Sequence, residues 1–376
     1  MRGFGFELEA TDGRARAGRL STAHGEVETP AFMPVGTAGA VKAVTPEELR
    51  ACGAQIVLGN TYHLELRPGH EVVRDLGGLH RFMSWDGPIL TDSGGFQVLS
   101  LAGMNRIEEE GVRFRSHLDG SEHLLTPEKS MQIQEALGSD VAMVLDICPP
   151  LPSSREAIEE AVDRTTRWAR RSLEAYRGPG VPFGIVQGGT DRGLRERSAR
   201  EILALDFPGH AIGGVAVGEP AEAIADVAGF TAGLLPPDRP RYLMGIGRPQ
   251  DLVEAVAVGI DLFDCVMPTR NARNGQLFTS TGKLNIKRSE FRRDPDPLDA
   301  DCSCEACTRY SRAYLRHLFV SGEILSMRLN TIHNLTYYLR LMREMRAAIA
   351  GGTFASFRSA FRASTGPEEP ALDPEP

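Results

Sequence analysis

The sequence predicts an α/β fold in which eight parallel strands close into a (β/α)8 barrel, with an insertion near the C-terminus. Three observations point there. Eight short runs rich in Val, Ile, Leu and Ala recur between helical patterns, as parallel strands covered on both faces do. Helix-start signals stand between these runs. After the eighth run the alternation breaks, and three cysteines crowd into six residues. An open doubly wound sheet would more often have about five to seven strands and a glycine-rich phosphate loop after the first, and the sequence has no such loop there.

In chain order the expected strands are Ala31 to Val35, Gln55 to Leu58, Pro88 to Thr91, Val141 to Asp146, Phe183 to Gln187, Ala211 to Val217, Arg241 to Gly245 and Ile260 to Cys265. Thr45-Pro46-Glu47-Glu48 and Ser153-Ser154-Arg155-Glu156 read as capping boxes, the first with proline at the first helical position. Pro268 to Lys287 reads as hairpins, with Asn274-Gly275 and Thr281-Gly282 as turn dipeptides. Gly322 to Ala350 reads as one long helix able to close the barrel. The expected organisation is a barrel with N-terminal and hairpin additions over residues 1–287, a metal-binding insertion over 288–335, and a long helix with a C-terminal segment over 322–364. The tail over 365–376, rich in Pro, Glu and Asp, is expected to be disordered.

At 376 residues, 41% hydrophobic and 24% charged, the chain has the composition of a soluble globular protein with a sizeable core. No apolar run is long enough for a membrane span, and the start at Met1-Arg2-Gly3-Phe4 resembles neither a signal peptide nor an acylation motif, so the cytoplasm is the expected location. A net charge of −8 argues against indiscriminate nucleic-acid binding but allows a local basic patch. Positive charge is almost all arginine, with lysine only at 42, 129, 283 and 287, and arginine suits bidentate phosphate contact and stacking on bases.

Cysteine spacing carries the most local chemical signal. Cys302, Cys304 and Cys307 offer three thiolates, and His333, twenty-six residues after Cys307, offers a fourth ligand from the long helix. Three sulfurs and one imidazole closing a tetrahedron make a structural zinc site with no open position. A second constellation lies at the C-terminal ends of the expected strands, where barrel enzymes place their active sites: Asp92, Asp146, Gln187 and Asp264. An ionised carboxylate there costs several kcal/mol unless paired or used. Two carboxylates facing one cleft suit glycosyl transfer, one as nucleophile and one as proton donor, though spacing alone does not choose the pair. Gly94-Gly95, Gly188-Gly189 and Gly213-Gly214 either form tight turns or let the backbone approach a flat ligand.

Thr91-Asp92-Ser93-Gly94-Gly95-Phe96-Gln97, Gly213-Gly214-Val215-Ala216-Val217-Gly218-Glu219, Phe263-Asp264-Cys265-Val266-x-Pro268-Thr269-Arg270 and the cysteine cluster with its distant histidine resemble the tRNA-guanine transglycosylase family. The resemblance runs in order from about residue 5 to about residue 350. It implies a (β/α)8 barrel with a zinc-bearing insertion, and a pentosyltransferase that replaces guanine at the anticodon wobble position of tRNAs with a G-U-N anticodon. It further implies Asp264 as nucleophile, forming a covalent ribosyl ester, and Asp92 as general acid and base. Asp146 and Gln187 match residues that bind the base edge, Gly214 one that offers its N–H to the base's carbonyl oxygen, and Phe96 and Met244 a pair that sandwiches the ring.

Cys148 and Val217 resemble the bacterial type, which takes 7-aminomethyl-7-deazaguanine (preQ1) for queuosine synthesis; the Val215 carbonyl, oriented by Glu219, would accept from its aminomethyl group. Archaeal members usually carry further C-terminal RNA-binding domains, and the chain ends before any. Ile147 departs from the pattern, since bacterial members usually have an acidic residue there. Arg270 and Arg273 match positions that grip the anticodon loop, and Arg248 and Lys287 join them as candidate tRNA contacts. Tyr310, Tyr314 and His317 fall at i, i+4 and i+7, an aromatic face where the family pattern places a homodimer interface. A non-catalytic tRNA-binding relative would lack the two aspartates. A glycoside hydrolase on the same barrel would leave the zinc insertion and the base-binding residues without a role.

Overall fold

The computed structural model describes residues 3–101, 105–215 and 221–365. Eight parallel strands close on themselves: Ala31–Gly36, Val57–Gly59, Ile89–Thr91, Val141–Met143, Val181–Val186, Gly209–Ile212, Arg241–Leu243 and Leu262–Cys265, the last pairing with the first. Each matches one of the expected runs. Several end earlier than expected: the fourth stops at Met143 and the sixth at Ile212. The strands bury aliphatic and aromatic side chains on both faces, among them Ile185, Leu243 and Phe263, and Phe32 packs outward on Tyr338 of a later helix.

Helix starts follow local chemistry. Thr45 caps Pro46–Cys52 reciprocally: Glu48 N–H donates to Thr45 Oγ1 at 3.3 Å, and Thr45 N–H donates to Glu48 Oε2 at 2.8 Å. The long helix Arg155–Ala175 is capped by Ser154, whose hydroxyl accepts from Ala157 N–H; the cap lies one residue later than expected, and alanine at the third helical position leaves no reciprocal bond, so the expected capping box is absent. Pro268 to Asn274 is not a hairpin. Met267–Arg273 is a helix, with Pro268 in its first turn and Gly275 at φ +80° just past its end, the proline-first and glycine-last arrangement of a short helix. A single hairpin follows, Gln276–Thr279 with Gly282–Asn285.

Additions frame the barrel. At its N-terminal face lies a three-stranded antiparallel sheet, Gly5–Asp12, Ala15–Thr22 and Gly25–Thr29, fastened by Arg16 Nε to Asp261 Oδ1 at 3.0 Å, both side chains buried. A second small sheet, Asn105–Ile107, Val112–Arg115 and Glu122–Leu125, is inserted after the third barrel strand. The helix Ile324–Ala350 packs on the first barrel strand, the helix Pro46–Cys52 and the N-terminal sheet, taking the eighth helix position and carrying His333. Residues 366–376, expected as a disordered tail, lie outside the described residues.

Candidate active site and metal centre

At the C-terminal mouth of the barrel each polar residue read from the sequence sits at a strand end. Asp92 follows Thr91 directly and is half-buried. Its carboxylate accepts from Thr61 N–H at 2.9 Å, Gly94 N–H at 3.1 Å and the Asn60 amide. Burial outweighs these donors, and with the nearby Asp264 charge it pushes the Asp92 carboxyl up from 3.8 to about 7. Asp92 therefore holds or releases a proton near neutrality.

Asp264 lies in the eighth strand and meets a different environment. Tyr242 Oη donates to its Oδ1 at 2.6 Å, and Gly245 N–H donates to the same oxygen at 2.9 Å. Burial still raises its carboxyl above the ordinary value, against the pull of both donors. Two donors on one oxygen leave Oδ2 as the oxygen to face a substrate. The two aspartates are near enough for one charge to perturb the other, and they are supported differently.

A third carboxylate follows the fourth strand. Asp146 is buried, accepts from Gln187 Nε2 at 2.6 Å, and is raised to about 6 by burial against that hydrogen bond. Gln187 is in turn wedged against the glycine pair of the sixth strand's loop: a Cβ on Gly214 would lie 2.3 Å from Gln187 Oε1, and one on Gly213 would lie 2.6 Å from Nε2. Glycine at these places makes room for a protein side chain, a role beyond the tight turns and ligand approach that the sequence reading offers. Met244, whose N–H donates to Ile212 O at 3.3 Å, stands beside that loop. Gly95 packs on the Asp146 carbonyl, which brings the exposed ring of Phe96 to the same mouth. Val215 and Ile147 are buried and Cys148 is half-buried. Glu219 and Val217 lie outside the described residues.

The queuine tRNA-ribosyltransferase family model matches residues 11–367 of this chain. The chain belongs to that family. Membership makes it a pentosyltransferase. A queuine tRNA-ribosyltransferase from Nitratidesulfovibrio vulgaris (strain DP4) is 58% identical over 361 residues, covering 95% of this chain and 96% of the relative. One from Pelotomaculum thermopropionicum is 59% identical over 348 residues, 92% and 94% of the two chains, and one from Cereibacter sphaeroides is 58% identical over 363 residues, 96% of each.

Away from the mouth, this ribosyltransferase gathers Cys302, Cys304, Cys307 and His333, all buried, with their ligand atoms within 4.8 Å of one another. Cys307 Sγ is 3.3 Å and Cys304 Sγ 3.7 Å from His333 Nδ1. Metal–sulfur bonds near 2.3 Å and metal–nitrogen bonds near 2.0 Å place tetrahedral ligands at about these separations. His333 Nε2 lies 2.8 Å from the Phe278 carbonyl, a hydrogen bond that leaves Nδ1 as the lone-pair nitrogen. The residues fit a closed structural zinc site.

The candidate cations differ in readiness. Arg270 is exposed, whereas Arg273 is half-buried and donates to Thr269 O at 2.8 Å. Arg248 grips Asp251 through two hydrogen bonds of 2.7 and 2.9 Å, and Lys287 lies 5.4 Å from the Phe319 ring centre. Tyr310 and Tyr314 stack at 5.3 Å, but not on one helix: Tyr310 ends Glu305–Arg309 in extended conformation, and Ser311 caps a new helix, Arg312–Val320. Sequence reasoning missed Asn60, Thr61 and Tyr242. The first two follow the second barrel strand, the position that marks Asp92, and could have been found by the same rule. Tyr242 inside a strand looks like packing.

Proposed function

We propose that this protein exchanges guanine at the wobble position of tRNAs with a G-U-N anticodon for 7-aminomethyl-7-deazaguanine, in queuosine synthesis. The observation that carries the reading is the pair of unlike aspartates at one barrel mouth: Asp264 with one oxygen held by two donors, Asp92 with a carboxyl raised to about 7. The names of the relatives, queuine tRNA-ribosyltransferases, support the substrate class.

In this reading Asp264 Oδ2 attacks the anomeric carbon of the target nucleotide. The bond from that carbon to guanine N9 breaks, and protonated Asp92 gives its proton to the departing base. A ribosyl ester on Asp264 conserves the bond energy. The incoming base loses its N9 proton to the Asp92 carboxylate, N9 attacks the same carbon, and the ester bond breaks to restore Asp264. Asp146 and Gln187 hold the base edge, Gly214 N–H meets its carbonyl oxygen, and Phe96 and Met244 cover its faces. The Val215 carbonyl, with Glu219 behind it, takes the aminomethyl group, and Cys148 lines the same pocket. The target base is swung out of the anticodon loop, because chemistry at the anomeric carbon requires access to both faces of the sugar.

Zinc held by Cys302, Cys304, Cys307 and His333 ties the insertion to the last helix. Arg270 and Arg273 flank the mouth for loop phosphates, with Arg248 and Lys287 as outer contacts. Two copies pair through the surface around Tyr310, Tyr314 and His317; exposed Val320 (60%) and Ile324 (80%) extend it as an apolar patch that a partner would cover. The tRNA substrate sets the reaction in the cytoplasm. Among the described residues no helix is long and apolar enough to cross a membrane.

The test is incorporation of labelled guanine into a tRNA carrying U-G-U in its anticodon loop, with preQ1 as competitor. Incorporation that preQ1 suppresses is the expected result. A folded, zinc-loaded protein that incorporates nothing refutes the reading.

A further inference from the structure

We infer that Arg195 is a positioning residue for base recognition, one buried guanidinium that fixes the two glycine loops framing the base recess and so sets affinity for the free purine base rather than for the nucleic acid. The inference rests on the base-exchange reading above. Arg195 is 1% exposed, on the helix Arg192–Leu203 that follows the fifth barrel strand. Its Nε donates to Gly189 O at 2.8 Å, Nη1 to Val186 O at 3.0 Å and Nη2 to Gly214 O at 3.1 Å. Three carbonyls from two strand-end loops thus meet one planar fork. A lysine ammonium on its flexible stem cannot match that fork.

The helix itself gains nothing from this residue. Arg195 is near the helix N-terminus, where the backbone dipole disfavours a cation, and burial of a guanidinium is costly unless its donors are used. Its position is explained by the loops. The loop is shaped to it as well: Gly188 has φ +138°, and a Cβ there would lie 2.7 Å from Arg195 N. Ser198, three residues on and on the same helix face, accepts from Gln187 N–H at 3.0 Å. Val186 O receives both Arg195 and Gly213 N–H, the latter at 3.0 Å.

Consequences for the recess follow from peptide planarity. Holding the Gly214 carbonyl fixes the plane of the Gly214–Val215 peptide and therefore the ψ of a glycine at φ +66°, a residue whose backbone would otherwise rotate freely. Gly214 N–H, the Val215 carbonyl that follows and the Gln187 side chain are then presented in one arrangement. Arg195 lies beneath these groups and acts through them, so it is not a catalytic residue.

The experiment measures binding of guanine to the free enzyme by calorimetry, tRNA binding by gel shift, and base exchange, for wild type, Arg195→Lys and Arg195→Met. Thermal melting confirms that each variant folds, and Arg195→Ala is assayed with and without added guanidinium ion. Expected is a loss of base affinity of about tenfold or more, the equivalent of one misplaced hydrogen bond. The KM for base rises in step, tRNA affinity is kept, and guanidinium partly restores Arg195→Ala. A folded Arg195→Lys with wild-type base affinity overturns the inference, as does an equal loss of base and tRNA affinity without guanidinium rescue. Failure of the parent reading looks different: wild type would exchange no base at all, whatever the variants bind.

Discussion

Replacing Asp92 by asparagine should give a protein whose stability advantage over wild type grows as the pH rises, while removing its activity. The Asp92 carboxyl, at 3.8 in the unfolded chain, is pushed up to about 7 in the fold by burial and by the Asp264 charge. A raised carboxyl binds its proton more tightly when folded. The stability linked to it is therefore fully present below about pH 4 and is lost as pH rises towards about 7. At about 1.4 kcal/mol per pH unit, the whole effect is about 4 kcal/mol. Between about pH 5 and about pH 8 the expected loss is about 2.5 kcal/mol, since part has already gone by the lower pH. Asp146 and Asp261, each raised to about 6, drift in the same direction. Both remain in Asp92→Asn, so the difference between wild type and variant isolates Asp92. Denaturant unfolding at the two pH values measures it: the variant should gain on wild type by about 2.5 kcal/mol from about pH 5 to about pH 8. Parallel pH profiles for the two proteins would refute the claim that Asp92 carries a raised, burial-driven carboxyl.

Other perturbations test separate parts of the account. Tyr242→Phe removes one of the two donors on Asp264 Oδ1; a hydrogen bond to a charged group is worth about 1.5–3 kcal/mol, so kcat should fall about tenfold to a hundredfold. The acid limb of the rate profile should also move to higher pH while the KM for tRNA holds, and an unchanged profile would count against Asp264 as the ionised nucleophile. Cys307→Ser, or a strong chelator, should remove about one zinc ion per chain by metal analysis and lower the melting temperature; full stability without metal would contradict a structural site. Arg270→Ala and Arg273→Ala should each weaken tRNA binding and cut its logarithmic salt slope by about 1, whereas Arg248→Ala, engaged with Asp251, should change it less.

Much of this was legible in the sequence, for physical reasons that differ by element. Buried parallel strands must be apolar on both faces, so all eight appear as short continuous runs. Carboxylates that follow such runs, Asp92 and Asp146 among them, stand out because burial there is costly. Cys302, Cys304 and Cys307 are legible because ligand spacing is local, whereas His333, on a separate long helix, was reached only by inference; the helix break at Tyr310 and Ser311 was hidden by the aromatic periodicity around it. The helix Met267–Arg273 was misread because Asn-Gly serves both as a hairpin turn and as a helix ending. The small sheet containing Val112–Arg115 was missed although Val112 and Phe114 alternate with two arginines, a half-buried strand pattern beside the Asp119-Gly120 turn. Arg195 was not legible at all, since an arginine on an amphipathic helix reads as solvated until its carbonyl partners are seen.

The central claim is that Asp264 is the nucleophile and that the ribosyl ester on it conserves the glycosidic bond energy. Incubating the protein with substrate tRNA in the absence of free base, then denaturing it, tests this directly. A protein–tRNA adduct that survives denaturation, maps by mass spectrometry to Asp264 and is absent from Asp264→Ala is the predicted result; an adduct that persists in Asp264→Ala, or base exchange by that variant, would contradict it.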